Sequence, residues 1–136
     1  DLLSTDSPLD LFSSEWPIMT YEQITAPARI LCDGKDCGED IRQSIISNGC
    51  VIKGGKIVRS VLSPGVVVEP GACVEESILL DGVHIGRNCK LRKTIVEKRI
   101  TLPDGFRVGF EDDPAREGFT KDPSGITVIP LRTFFK

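Results

Sequence analysis

One histidine, five cysteines and a run of cations are the residues of this chain with chemistry to offer. His84 is the one side chain whose ordinary pKa suits it to act as a base near neutral pH. It precedes an apolar position, Ile85, so its ring is expected to face outward as a surface group near a turn. Arg87, Lys90, Arg92 and Lys93 crowd one stretch. Lys98 and Arg99 follow, and Arg132 stands near the C-terminus. Cations that converge hold phosphate through charge-assisted hydrogen bonds. Stacked coils of a repeat structure would bring such side chains to one surface. Glu75, Glu76 and Glu97 are interleaved among them, and spacing alone reads the set as scattered solvated charges.

The cysteines are Cys32, Cys37, Cys50, Cys73 and Cys89. An odd number at irregular spacing makes a poor disulfide framework. Cys32 and Cys37 flank a loop-like stretch, but zinc needs about four ligands and His84 is the only histidine. No metal site is expected, and a reducing cytoplasm suits the free thiols. No carboxylate pair has an obvious acid/base role. Gly54-Gly55 lacks the context of a nucleotide-binding glycine loop and reads as a turn.

The elements that position these residues follow from an unusual period. Apolar residues recur at Ile46, Ile52, Ile57, Leu62, Val68, Val74, Leu80, Ile85, Leu91, Val96, Leu102 and Val108. Every step is five or six. A helix needs steps of three and four, and a half-buried strand needs alternation. A stride near six matches a hexapeptide β-helix repeat, in which each step is one face of a prism and about three faces close a coil. A sandwich of short strands would space its turns by about 8–12 residues. Two residues before most beats stands a small or medium residue: Cys50, Gly55, Ser60, Val66, Ala72, Val83, Cys89 and Thr94. Ile78, Ile100 and Phe106 are too large for that pattern. Pro64-Gly65, Pro70-Gly71, Asp81-Gly82 and Pro103-Asp104-Gly105 supply turns between beats.

The chain therefore reads as all-β, a solenoid of three to four coils over residues 44–109. Residues 1–28, rich in Ser, Pro and Asp with scattered apolar anchors, read as an interdomain linker. Residues 29–136 form the solenoid domain. Within it, 29–32 is expected as a lead-in strand, 33–43 as a loop, 111–118 as a helix and 126–131 as a final strand capping the open end. Val66–Val67 and Ile78–Leu79 are expected on the outside, where contiguous apolar residues mark an interface. Net charge is −3 over 136 residues, which suggests neither a nucleic-acid nor a membrane partner. No secretory signal is visible at the start. Asp1 in place of Met suggests a piece cut from something longer.

Three strings go beyond generic repeats. They are residues 9–21 (Leu-Asp-Leu-Phe-Ser-Ser-Glu-Trp-Pro-Ile-Met-Thr-Tyr), residues 44–52 with 59–62, and residues 83–98 running into Leu-Pro-Asp-Gly at 102–105. Together they resemble the C-terminal part of bacterial glucose-1-phosphate adenylyltransferases. The resemblance implies a left-handed parallel β-helix. It also implies that the catalytic domain, with its glycine-rich nucleotide loop, ATP and Mg²⁺, is missing from these residues, so this fragment is expected to hold no cofactor and to be inactive alone. The implied parent reaction joins ATP and glucose 1-phosphate into ADP-glucose and pyrophosphate for glycogen synthesis. The implied partners are the enzyme's own catalytic domain, other subunits of a homotetramer, and a phosphorylated metabolite effector. Ile95-Val96-Glu97-Lys98 matches the family's regulatory string, which makes Lys98 an expected effector ligand. Arg132 is the nearest candidate for a second one, one residue out of register. Two other readings stay open: a hexapeptide acyltransferase with His84 as base, and the prism of another sugar nucleotidyltransferase.

Overall fold

A computed structural model describes residues 13–17, 24–31, 40–111 and 118–131. Its strands are two or three residues long and follow one another in threes. The first coil is β1 (Arg29–Ile30), β2 (Ile41–Arg42) and β3 (Ile45–Ile46). The second is β4 (Val51–Ile52), β5 (Lys56–Val58) and β6 (Val61–Leu62). The third is β7 (Val67–Val68), β8 (Cys73–Glu75) and β9 (Ile78–Leu79). The fourth is β10 (His84–Ile85), β11 (Lys90–Arg92) and β12 (Thr94–Val96). A fifth coil begins with β13 (Thr101–Leu102) and β14 (Arg107–Val108). The hairpin β15 (Thr120–Lys121) and β16 (Thr127–Ile129) closes it.

Each strand pairs in parallel with the equivalent strand of the next coil, giving three flat sheets. Sheet A is β1-β4-β7-β10-β13, and sheet B is β2-β5-β8-β11-β14. Sheet C is β3-β6-β9-β12, extended by β16 and, antiparallel, by β15. Like residues stack on like. Ile52, Val68, Ile85 and Leu102 form the inner column of sheet A. Ile57, Val74, Leu91 and Val108 form that of sheet B. Ile46, Leu62, Leu79, Val96 and Ile129 form that of sheet C. All but Ile46 are at most 4% exposed, and each such burial is worth about 1.5–3 kcal/mol.

The phase of one step differs from the expectation. Leu79, not Leu80, is the inward residue, fully buried and stacked on Leu62. The reason is the corner between sheets B and C. It is turned by one residue with positive φ, successively Gln43, Arg59, Glu76 and Lys93 at 47–49°. That tight turn shortens the step to five every time, as from Ile57 to Leu62 or from Leu91 to Val96. Ile78 is thereby turned outward at 40% exposure, and Ser77 takes the corner position. Val66 is fully buried rather than exposed. Ile41–Arg42 is a strand where a loop was expected, because its Ile41 stacks on Ile57. The expected lead-in strand is β1 and the expected final strand is β16. There is no helix among the described residues, and most of the helix expected at 111–118 falls outside them. Cys32 and Cys37 also fall outside them. Among the described residues no helix is long and apolar enough to cross a membrane.

The corners are built in two ways. At the B-to-C corner a hydroxyl ladder runs up the inside. The backbone N–H of Ser60 donates to Ser44 Oγ (3.1 Å), that of Ser77 to Ser60 Oγ (3.2 Å) and that of Thr94 to Ser77 Oγ (3.2 Å). Each hydroxyl in turn donates to the carbonyl two residues back in its own coil, at 2.7–2.9 Å. Buried polar groups are thereby satisfied. At the A-to-B corner the column is Gly55, Ala72, Cys89 and Phe106, growing steadily toward the C-terminus. A Cβ on Gly55 would lie 2.4 Å from the Ala72 carbonyl oxygen, so only glycine fits there. The C-to-A corner shows the same trend through Cys50, Val66, Val83 and Ile100. Ile100 and Phe106, two of the large residues that break the sequence pattern, sit in the last coil, where no further coil crowds them. Phe106 meets Phe119 of the closing segment edge-on, with ring centroids 6.1 Å apart.

Candidate functional site

Lys98 occupies the turn that follows β12, at the C-to-A corner of the fourth coil, and is exposed. Two hydrogen bonds fix its neighbours: Glu97 N donates to the Ile129 carbonyl (3.0 Å) and Arg99 N to the Asp81 carbonyl (2.8 Å). Beyond β16, which is parallel to β12, the chain continues beside Glu97 and Lys98 as far as Leu131. Leu131 N donates to Glu97 Oε2 at 2.6 Å. The topology thus carries Leu131 to the edge that holds Lys98. Arg132, next after Leu131, lies outside the described residues.

The cation run is divided among the three corners and does not converge on Lys98. Arg87 is at the A-to-B turn, its N–H bonded to Asp104 Oδ1 at 2.7 Å. Lys90 lies on the outer face of sheet B, between Cys73 and Arg107. Arg92 and Lys93 stand at the B-to-C corner, where they line a cavity with Arg107 and Lys121. Arg107 and Lys121 were not singled out in the sequence. They are 14 residues apart, and only the closing hairpin brings them together.

His84 faces outward as expected. Its Nε2 is 3.2 Å from Glu69 Oε1, and the same oxygen is 2.7 Å from Lys53 Nζ. Lys53 above all holds the Glu69 carboxyl below the usual range. The carboxylate that would orient His84 as a base is therefore shared with a lysine one coil below, in a cross-coil ion pair on a strand face. Cys50 and Cys89 are buried, and each Sγ donates to a carbonyl, of Ser63 at 3.2 Å and of Pro103 at 3.1 Å. Burial pushes both thiols up. They behave as small hydrophobes with reactivity suppressed. Among the described residues no group of His, Cys, Asp and Glu is placed to hold a metal.

Residues 26–129 match the family described as GlmU-like, C-terminal hexapeptide. The chain belongs to this hexapeptide family. Its parallel solenoid is accordingly the left-handed, hexapeptide-repeat β-helix. Among curated relatives of this hexapeptide chain, it is similar to the glucose-1-phosphate adenylyltransferase of Bifidobacterium adolescentis, 39% identical over 98% of the chain and 32% of the relative. It is similar to that of Frankia casuarinae, 39% identical over 95% of the chain and 32% of the relative. It is also similar to that of Albidiferax ferrireducens, 34% identical over 96% of the chain and 31% of the relative. The chain thus spans about a third of the length of these relatives.

Proposed function

We propose that this chain is the C-terminal regulatory and assembly domain of a cytoplasmic glucose-1-phosphate adenylyltransferase. The observation that carries the reading is similarity to those enzymes along nearly the whole chain, combined with the match to a hexapeptide family. The parent reaction joins ATP and glucose 1-phosphate, with Mg²⁺, into ADP-glucose and pyrophosphate. Catalysis belongs to a separate domain, and residues 29–136 serve it as a rigid prism joined through the linker 1–28.

Two features of the prism support this role. Sheet C presents an outward column of β-branched residues, Ile45, Val61, Ile78, Ile95 and Val128, in direct register. Such a contiguous apolar strip suits a contact with another domain or subunit of a homotetramer. Lys98 stands exposed at the end of that sheet, beside the stretch that leads from β16 to Leu131. It is the proposed ligand for a phosphorylated effector, with Arg132 as a second cation.

The test uses the full-length parent. Lys98→Ala is expected to raise the half-activating effector concentration about ten- to a hundredfold, the worth of one charge-assisted hydrogen bond. Substrate affinity without effector should stay as it was. An unchanged half-activating concentration would return Lys98 to the solvated surface. The isolated chain serves as the zero-activity reference in the same assay, and pyrophosphate release from it above background would overturn the division of labour.

A further inference from the structure

The cavity at the end of the B-to-C corner is the molecule's other concentration of chemistry. It is about 680 Å³ in volume, and among the described residues Arg92, Lys93, Arg107 and Lys121 line it with a single carboxylate, Glu111. This is a cationic hollow on a chain whose net charge is −3. The cations come from three segments: the fourth coil, the fifth coil and the closing hairpin.

The lower coils show what is different here. On the same faces, Lys56 is paired with Glu75 at 2.7 Å, and Arg59 is paired with Glu76. Cations and acids alternate from coil to coil, so each charge is offset by a neighbour. The alternation ends at the fourth coil. Arg92 stacks on Glu75, whose carboxylate is already engaged by Lys56. Lys93 follows Glu76 in the ladder of left-handed corner residues, and Glu76 is engaged by Arg59. Among the described residues neither Arg92, Lys93 nor Lys121 has a carboxylate within 4.0 Å.

The hollow is also shaped. Gly109 lies hard against the fourth coil: a Cβ there would be 1.7 Å from the Arg92 carbonyl oxygen. Its φ of +90° is open to glycine and strained for other residues. This bend turns the chain out of the solenoid and opens the space. Arg107 lies over the Phe110 ring, with its guanidinium carbon 4.5 Å from the centroid. The ring holds the guanidinium in place at the cavity wall, so less freedom is lost when it takes an anion.

We infer that this cavity binds a small molecule bearing a phosphate or pyrophosphate group, through Arg92, Lys93, Arg107 and Lys121. It is a second anion site, on a different corner of the prism from Lys98. The inference rests on the charge pattern and shape of the cavity and stands whether or not the proposed parent reaction is right.

Inorganic pyrophosphate and inorganic phosphate are the probes, titrated into this isotope-labelled chain at constant ionic strength and followed by amide NMR. The expected result is saturable shifts at Gly109 and Gly125, which line the cavity. Pyrophosphate should be the tighter of the two. The double variant Lys93→Gln with Lys121→Gln, both on exposed side chains, should weaken binding about tenfold or more. Lys98→Gln should leave the saturable shifts at Gly109 and Gly125 unchanged, whatever it does to signals near residue 98. Shifts that never saturate, or binding lost in Lys98→Gln and kept in the double variant, would overturn the assignment. Sugar phosphates and nucleoside triphosphates in the same titration then identify which class of phosphate compound the cavity prefers.

Discussion

Two corners of the same prism solve the same problem differently. The B-to-C corner repeats one solution through the first four coils: a left-handed residue, then a hydroxyl that donates within its own coil and, in the first three, accepts from the coil above. The A-to-B corner changes its solution coil by coil, from Gly55 to Phe106. Hydrogen bonds have a fixed length, so a ladder of them holds neighbouring coils to one geometry. Apolar contacts have no such fixed length, so the width of that corner is set by side-chain volume. One edge of the prism is kept uniform, and the other widens toward the end that carries the cap and the cationic cavity.

The largest expected effect comes from removing the widest residue. Phe106→Ala should cost about 3–5 kcal/mol, since its buried ring and its contact with Phe119 are both lost. Chemical denaturation checks the cost, and faster hydrogen exchange confined to β15 and β16 would show that the cap is what Phe106 supports. A loss spread evenly over all coils would break the comparison. Ser77→Ala should cost less, about 1–3 kcal/mol, because it strands the buried N–H of Thr94. Ser77→Thr keeps the hydroxyl and should recover most of the stability. Equal losses in the two variants would mean that shape, not hydrogen bonding, governs this corner as well.

The smallest effect belongs to the outer face. The hydrogen bond from Lys56 is the main reason the Glu75 carboxyl lies below its usual range. A depressed folded-state value stabilises the fold above the unfolded carboxylate pKa, about 4.3. That contribution fades as pH falls through the lower folded value. The pair is largely exposed, so Glu75→Gln should leave thermal stability near neutral pH almost unchanged. The variant should differ from the parent chain mainly in a shallower loss of stability in acid. A large loss near neutral pH would show that cross-coil charges hold the prism as firmly as its corners do.

Most of the fold was legible because a prism of short faces imposes a stride that no other element shares. The one slip in phase fell where Ile78, Leu79 and Leu80 are all apolar, so hydropathy gave no choice among them. The signal that decides it lay in the hydroxyls. Ser44, Ser60 and Thr94 recur at the spacing of a coil, and Ser77 is the member that completes the series. Lys98 was singled out by the resemblance of Ile95-Val96-Glu97-Lys98 to a family string, not by the stride. Neither signal pointed to the cationic cavity, because Arg92 and Lys93 meet Arg107 and Lys121 only through a hairpin that breaks the period. Side chains joined by an irregular closure leave no trace in a repeat.

The graded corner also bears on how such a chain lengthens over evolutionary time. Duplicating a 17-residue unit such as residues 68–84 places similar side chains above similar side chains, and the two ends stay intact. A copy added beyond Phe106 meets a ring where the earlier coils offer a glycine, an alanine or a cysteine. New length therefore enters in the middle and is refused at the end. The terminal coil, with its cap and its cavity, is inherited as a unit while the number of coils beneath it is free to drift.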